Sequence, residues 1–366
     1  MTPTTSSDPP PVTVLIPAYN LAKYLADAVD SVLQQTYRGP VGIIVLDDGS
    51  TDDTLRIARH LAERQPRIEV HTQANRGRAE TRDRLVELAP TELLAWLDAD
   101  DLASPTWLED QVDFLLHHPA CVAVSGQGYA MTGGGRAIGP IDHPLDGEEI
   151  DRRHINGQAN AFFQSCVLVR KSAVERADGY DHRYPCAEDY SLWLRLAEIG
   201  TLANLDRVHL HYRVHPTSAN WTVNIDQRRQ GYQIMNEARQ RRGLLPLQEA
   251  RQEIPPAKKD DWNRRLYWIN IALKSGNPLS ALQMLGVALR KHPTSVVLWL
   301  AGVVSVCDTI LFFGNKTSNF HPGKPARIGT LPWLSCYRLG RSLNRLRRRL
   351  FSPAAPASSD PVASDS

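Results

Sequence analysis

Apolar residues come in compact runs over the first hundred positions. Val12–Ile16 is the first and is closed by Pro17. Val41–Leu46 is the second and shows no polar alternation, the pattern of a parallel strand covered on both faces. Ile68–His71 and Glu92–Leu97 read as a third and fourth strand. Between them the period changes to that of a helix. Leu21, Leu25, Ala28, Val29, Val32 and Leu33 fall on one face; Leu55, Ile57, Ala58 and Leu61 follow a helix start at Ser50. Gly77–Leu88 reads as a third helix, and Ser104-Pro105 opens a fourth with proline in its first turn. This alternation predicts an α/β fold: a Rossmann-like, open, mainly parallel sheet with helices on both faces.

Beyond Cys121–Ser125, a further strand, the periodicity fails. Gly133-Gly134-Gly135 and the polar stretch to Gln158 read as a long loop. Ala161–Val169 reads as a strand, Ala187–Ile199 as a helix and Leu202–Val214 as extended chain. From Ile225 onward the pattern is helical: Trp262, Leu266, Ile269 and Leu273, then Leu282, Leu285 and Leu289, with Pro278 and Pro293 as boundaries. Gly276–Pro293 is similar to one helix of a tetratricopeptide-type hairpin. One such unit cannot build a solenoid, so helices packed on the α/β domain are expected. Ser295–Phe313 is strongly apolar but short for a membrane span and interrupted by Asp308, which leaves burial and membrane insertion both open. Trp333–Phe351 interleaves Arg338, Arg341, Arg345, Arg347, Arg348 and Arg349 with Leu334, Leu339, Leu343, Leu346 and Leu350. A basic amphipathic helix of that kind suits an anionic membrane surface. The expected organisation is a lead over 1–10, an α/β domain over 11–220, a helical, membrane-associating extension over 221–351, and a Pro- and Ser-rich tail over 352–366.

Composition narrows the class. The chain has 366 residues, 42% hydrophobic and 22% charged, as in a globular protein, and its net charge of +2 gives no reason to expect nucleic acid. Five scattered cysteines with no CxxC pair argue against a zinc site or a disulfide framework and for a reducing compartment. The opening MTPTTSSDPPP has neither the basic region nor the apolar run of a signal peptide. A cytoplasmic protein, peripheral on the inner face of the plasma membrane, is expected.

Candidate chemistry gathers at the carboxyl ends of strands, where open α/β sheets bind ligands. Pro17-Ala18-Tyr19-Asn20 ends the first strand, Asp47-Asp48-Gly49-Ser50 the second, and Asp98-Ala99-Asp100-Asp101 the fourth. Close carboxylates repel and need a cation. Aspartate oxygens suit Mg2+ or Mn2+, and such an ion would also attract a diphosphate and neutralise its charge as it leaves. Asn75-Arg76-Gly77 and Arg82 lie on the same side, where cationic side chains could reach phosphates. Glu188-Asp189 precedes an apolar helical run, a position that a helix cap would also explain.

Together, Val12–Asn20 (VTVLIPAYN), Asp47–Asp53 (DDGSTDD), Asn75–Asp83 (NRGRAETRD), Asp98–Asp101 (DADD) and Glu188–Leu196 (EDYSLWLRL) resemble the family 2 glycosyltransferases of GT-A fold, over residues 12–215. The resemblance implies a metal-dependent, inverting transfer of a sugar from a nucleotide diphosphate donor to an acceptor hydroxyl. The setting would be polysaccharide or glycoconjugate synthesis, with a glycan or lipid-linked acceptor. It implies that Pro17, Tyr19, Asn20 and Asp48 hold the nucleotide, with Tyr19 on the base and Asp48 hydrogen-bonded to it. Asp98 would sit near the ribose or sugar, Arg82 would keep its family contact, and Asp100 and Asp101 would lie at the Mn2+ or Mg2+, either being the direct ligand. His215 would approach the metal or diphosphate. Asp189 would be the general base and Glu188 would orient the site. The helix after Asn75-Arg76-Gly77 is more charged than the family pattern, through Arg78, Glu80 and Asp83, and Met131–Gln158 is idiosyncratic and a candidate for choosing the acceptor. LAWLDADDL also resembles the opening motif of haloacid-dehalogenase-type phosphatases, which would leave the PAYN and DDGS clusters unexplained. An inactive scaffold is disfavoured by the intact Asp98, Asp100, Asp101 and Asp189.

Overall fold

A computed structural model describes residues 8–158, 161–215, 225–247 and 262–291. The chain divides into two compact units, Met1–Gly314 and Asn315–Ser366; the second lies outside the described residues, as do the 295–313 and 333–351 segments.

The first half alternates as its periodicity dictates: β1 (Val12–Ala18), α1 (Leu25–Leu33), β2 (Val41–Asp47), α2 (Thr54–Arg64), β3 (Ile68–Thr72), α3 (Arg78–Leu88) and β4 (Leu93–Trp96). β3, β2, β1 and β4 lie side by side and all parallel. The missing alternation within each run has a direct cause, since both sheet faces are covered. Val12, Val14, Ile16, Ile43 and Val45 pack against Leu25, Val29, Val32 and Ala58 of α1 and α2 on one face. Leu15, Ile44, Leu46, Leu94 and Trp96 pack against Ala79, Leu85 and Val86 of α3 on the other. Trp96, Trp107 and Trp193 are fully buried, and each large apolar side chain so placed contributes about 1.5–3 kcal/mol.

The second half comprises β5 (Leu102–Ala103), α4 (Trp107–His117), β6 (Cys121–Thr132), β7 (Ala137–Ile141), α5 (Gly147–Ile155), β8 (Val167–Arg170), α6 (Lys171–Arg176), α7 (Glu188–Leu196) and β9 (Thr201–Val214). The full sheet order is β3-β2-β1-β4-β8-β6-β9-β5, with β7 added beside β6. Here the sheet is mixed: β8 is antiparallel to β4 and β6, β5 to β9, and β7 to β6, while β6 and β9 run parallel. The parallel character is thus confined to the β1–β4 block and the β6–β9 pair.

The expected loop over Met131–Gln158 is corrected by the structure. It holds the end of β6, all of β7 and the helix α5. Strand β6 hides from periodicity because Gly126 and Gly128 interrupt it. A Cβ at Gly126 would sit 2.4 Å from His209 Nδ1, and one at Gly128 would sit 2.6 Å from the Phe163 ring, so close packing excludes larger residues. α5 carried a legible start signal: Asp146 caps it by accepting the Glu149 N–H at 3.1 Å. The Ala161–Val169 strand also shrinks, to Val167–Arg170; Gln164 Nε2 donates to the Tyr180 hydroxyl at 3.1 Å, and Ser165 holds the turn after β4 as described below.

Three described helices follow: α8 (Ile225–Arg241), α9 (Trp262–Lys274) and α10 (Pro278–Lys291). Ile234 and Ala238 of α8 pack on Leu194 of α7. α9 and α10 form a hairpin that buries Ile269, Ala272, Ala281 and Leu285 against Ala130 and Ile138 of β6 and β7. Among the described residues no helix is long and apolar enough to cross a membrane.

Candidate active site

The strand-end loops of β1 and β2 lock to each other. Asn20 adopts a left-handed backbone (φ 54°), which asparagine tolerates. Its side chain accepts the Thr51 N–H at 2.8 Å, and its own N–H donates to Ser50 Oγ at 2.9 Å. Pro17 is half-buried in register with Leu46. Tyr19 projects from this frame with 47% of its surface exposed.

Asp48 is buried and its oxygens are occupied. Oδ1 accepts from Gln73 Nε2 at 2.8 Å and Arg76 N–H at 2.9 Å; Oδ2 accepts the Gly77 N–H at 3.0 Å. It therefore fixes the loop that enters α3. Gly49 is required beside it: its φ is +72°, and a Cβ would lie 2.7 Å from the Asn75 nitrogen.

The three carboxylates after β4 point to three different partners. Asp98 Oδ1 accepts from Arg82 Nη2 at 3.0 Å. Asp100 Oδ2 lies 2.9 Å from His215 Nε2. Asp101 is turned inward, where its Oδ1 accepts the Arg213 N–H at 2.9 Å and it bonds the Ser165 hydroxyl. Divergence is how the chain relieves their repulsion. Asp101 has its pKa pushed well up, by burial first and then by Asp100 and Asp98. Burial raises Asp98 too, against the pull of Arg82. Ser165 also accepts the Asp98 N–H at 3.1 Å, so one buried hydroxyl holds both ends of the turn. Cys166 beside it has φ +57°, a strained backbone that tertiary packing must hold.

Arg82 joins this turn to the acidic pair of α7. It is buried, with its guanidinium carbon 5.3 Å from the Trp96 ring and 6.0 Å from the Tyr180 ring. Its Nε lies 3.6 Å from Glu188 Oε1, and Arg78 Nε approaches the same oxygen at 3.5 Å. Burial works against the charged guanidinium, but Asp98 and then Glu188 hold it protonated and its pKa rises. Glu188 is pushed up to about 7 by burial and by Asp189, against Arg78 and Arg82. Arg82 Nε and Nη1 and Glu188 Oε2 are buried without a hydrogen-bond partner among the described residues, which suits a polar ligand arriving here. Asp189 is half-buried in the first turn of α7 and accepts the Tyr190 N–H at 2.8 Å.

Sequence patterning missed Ser165, Tyr180 and Arg213, and noted Arg78 only as a departure from the family's charge pattern. His209 and His211, on the same strand, stay outside the site: His209 bonds Gln111 and Asp110, and His211 faces Ser104.

With the crevice assembled in this way, similarity to known proteins is decisive. The profile of "Glycosyl transferase family 2" matches residues 13–177. The putative glycosyltransferase EpsE of Bacillus subtilis is 32% identical over 200 residues, 52% of this chain and 68% of that protein. The chain belongs to glycosyl transferase family 2. This membership removes the phosphatase alternative, and with it the phosphatase role for the DADD motif. An uncharacterized glycosyltransferase of Haemophilus influenzae is 27% identical over 238 residues, 62% of this chain and 73% of that protein. The hyaluronan synthase of Pasteurella multocida is 27% identical over 237 residues, but those are only 24% of its length. Among solved structures, S. aureus TarS 1–349 in complex with UDP-GlcNAc superposes with a TM-score of 0.50 at 16% identity. It covers 87% of this chain and 99% of that one, a likeness of fold. This family 2 member is a glycosyltransferase.

Proposed function

We propose that this glycosyltransferase moves a sugar from a nucleotide diphosphate donor to an acceptor hydroxyl by single displacement with inversion. The observation that carries the proposal is Arg82, which touches Asp98 at 3.0 Å and approaches Glu188 at 3.6 Å, so that the strand-end aspartates and the α7 acids share one crevice. Tyr19 offers its exposed face to the base. Asp48 acts on the nucleotide chiefly by shaping the loop that carries Arg76 and Gly77, whose N–H groups it holds. Asp98, oriented by Arg82, receives ribose or sugar hydroxyls.

Asp189 takes the proton from the acceptor hydroxyl. The acceptor oxygen then bonds to the anomeric carbon as the carbon–oxygen bond to the diphosphate breaks, and the electron pair leaves with the diphosphate. Glu188, with a pKa of about 7, is partly protonated near neutrality and can donate as well as accept when it orients a sugar hydroxyl.

Mn2+ or Mg2+ fits as the partner of the diphosphate. Asp100 Oδ2 and His215 Nε2 converge at 2.9 Å and supply one hard oxygen and one imidazole nitrogen. Among the described residues no group of three or more His, Cys, Asp or Glu side chains could hold a metal ion. Two protein ligands suffice for an ion that completes its shell with phosphate oxygens and water. Asp100 is the candidate direct ligand, since Asp101 is committed inward to Arg213 and Ser165. When bound, the ion would neutralise charge on the departing diphosphate.

The sequence similarity to polysaccharide synthases supports a growing glycan as acceptor. The basic 333–351 segment supports peripheral attachment to an anionic membrane; release from anionic vesicles on deleting residues 333–366 is its test. A panel of nucleotide sugars, screened by thermal shift with Mn2+ present, tests the function. One donor should raise the melting temperature by mass action, and chelation should remove that rise. No response to any nucleotide sugar, with or without Mn2+, would overturn the donor assignment.

A further inference from the structure

We infer that Arg213 is a positioning residue that holds Asp100 and His215 as a pair, and so sets the affinity of the site for a divalent cation. The inference rests on the metal reading proposed above. Arg213 and His215 are two residues apart at the end of β9, so they leave the strand on the same side. Arg213 is buried, only 4% exposed, and its fork is spread over the site's supports. Nε donates to the carbonyl oxygen of Asp100 at 2.7 Å, which fixes the backbone from which that carboxylate hangs. Nη1 reaches Gly133 O and Nη2 reaches Asp27 Oδ2, each at 3.4 Å. The backbone N–H of Arg213 separately holds Asp101, and no side-chain change removes that bond.

The other arm runs through Tyr24. The guanidinium carbon lies 4.7 Å from the Tyr24 ring centre, and that ring packs 4.8 Å from the ring of His215, tilted by 42°. Gly133 closes the far side: a Cβ there would sit 3.2 Å from the Tyr24 hydroxyl and 3.3 Å from His215 Cβ. Asp100 is thus positioned by a direct bond and His215 by a cation–aromatic stack, both from one side chain. A lysine could satisfy one of these contacts. A planar fork is needed to serve a carbonyl with one edge while its face lies on a ring.

The test is Mn2+ binding to the full chain, followed by electron paramagnetic resonance of the free ion with and without UDP, alongside the melting temperature. Arg213→Met keeps the stem and removes the donors, and it should weaken Mn2+ binding about 10- to 100-fold, the usual effect of losing a group that orients a ligand. Arg213→Lys retains the buried charge and one donor and should weaken it less; it is the variant to read if Arg213→Met does not fold. Tyr24→Leu should also weaken Mn2+ binding, through His215. A purely structural arginine would lower the melting temperature and leave Mn2+ affinity within twofold of the parent, which would overturn the inference. If the parent binds no Mn2+ and Asp100→Ala changes nothing, the metal reading itself is overturned. Mn2+ binding that Asp100→Ala abolishes but Arg213→Met spares condemns the inference alone.

Discussion

Asp47 and Asp48, at the end of β2, find their partners close by. Asp98, Asp100 and Asp101, at the end of β4, find theirs on elements from α3 to the end of β9, most of them much further along the chain. The β2 pair is answered by Ser50, Thr72, Gln73 and the amides of Arg76 and Gly77. Those are neutral groups at the end of β3 and on adjoining loops, and they use up the oxygens. The β4 group depends on Arg82, His215, Arg213 and Ser165, which arrive from α3, β9 and the loop before β8. It also keeps perturbed carboxyls and sits beside buried atoms on Arg82 and Glu188 that have no hydrogen-bond partner among the described residues. Two aspartate motifs of similar appearance thus do different work. One is a finished scaffold, and the other is a set of groups whose last partners come with the substrate.

That contrast can be broken by substitution. Asp100→Ala should reduce sugar transfer to the level seen in excess chelator while the melting temperature holds, because the buried strand is untouched. Transfer that persists at the parental rate, measured by release of the nucleoside diphosphate, would contradict the division. Asp48→Ala should behave in the opposite way. It strands three donors, so urea unfolding should show a loss of about 2 kcal/mol, with weaker donor binding as a consequence of the loosened loop. A variant of parental stability would mean that Asp48 is no scaffold.

Glu188 gives the most specific effect. Its folded pKa of about 7 exceeds its ordinary 4.5, so between these values the native state holds a proton that the unfolded chain has released. Stability should therefore fall as pH rises through that window, and the contribution is fully present only below it. Glu188→Gln should flatten this part of the pH dependence, measured by urea midpoints on either side of the window. An unchanged slope would place the titration elsewhere.

The scaffold was far more legible in the sequence than the chemistry. β1 to β4 were readable because strands buried on both faces are continuous apolar runs, and the DDGS motif was readable because it ends one of those runs. Arg213 and Ser165 were not, because their roles exist only once β9 and the loop before β8 are folded against the β4 turn. The second half of β6, residues 126–132, misled for another reason. Gly126 and Gly128 are small to admit His209 and Phe163, so the strand there lacks the side chains by which strands are recognised. Asp101 shows the limit of motif spacing: beside Asp100 in sequence, it faces the opposite way.

The central claim is that donor binding and proton removal belong to separate groups in one crevice. The most direct measurement compares donor affinity and transfer rate in the parent and in Asp189→Asn, which keeps the shape but cannot take a proton. The account predicts nearly unchanged donor affinity by calorimetry and a fall in transfer of about two to four powers of ten. Donor binding lost along with transfer would place Asp189 in the nucleotide site. Transfer largely preserved with a drop in stability of about 1 kcal/mol would make it a helix cap, and either result would contradict the mechanism.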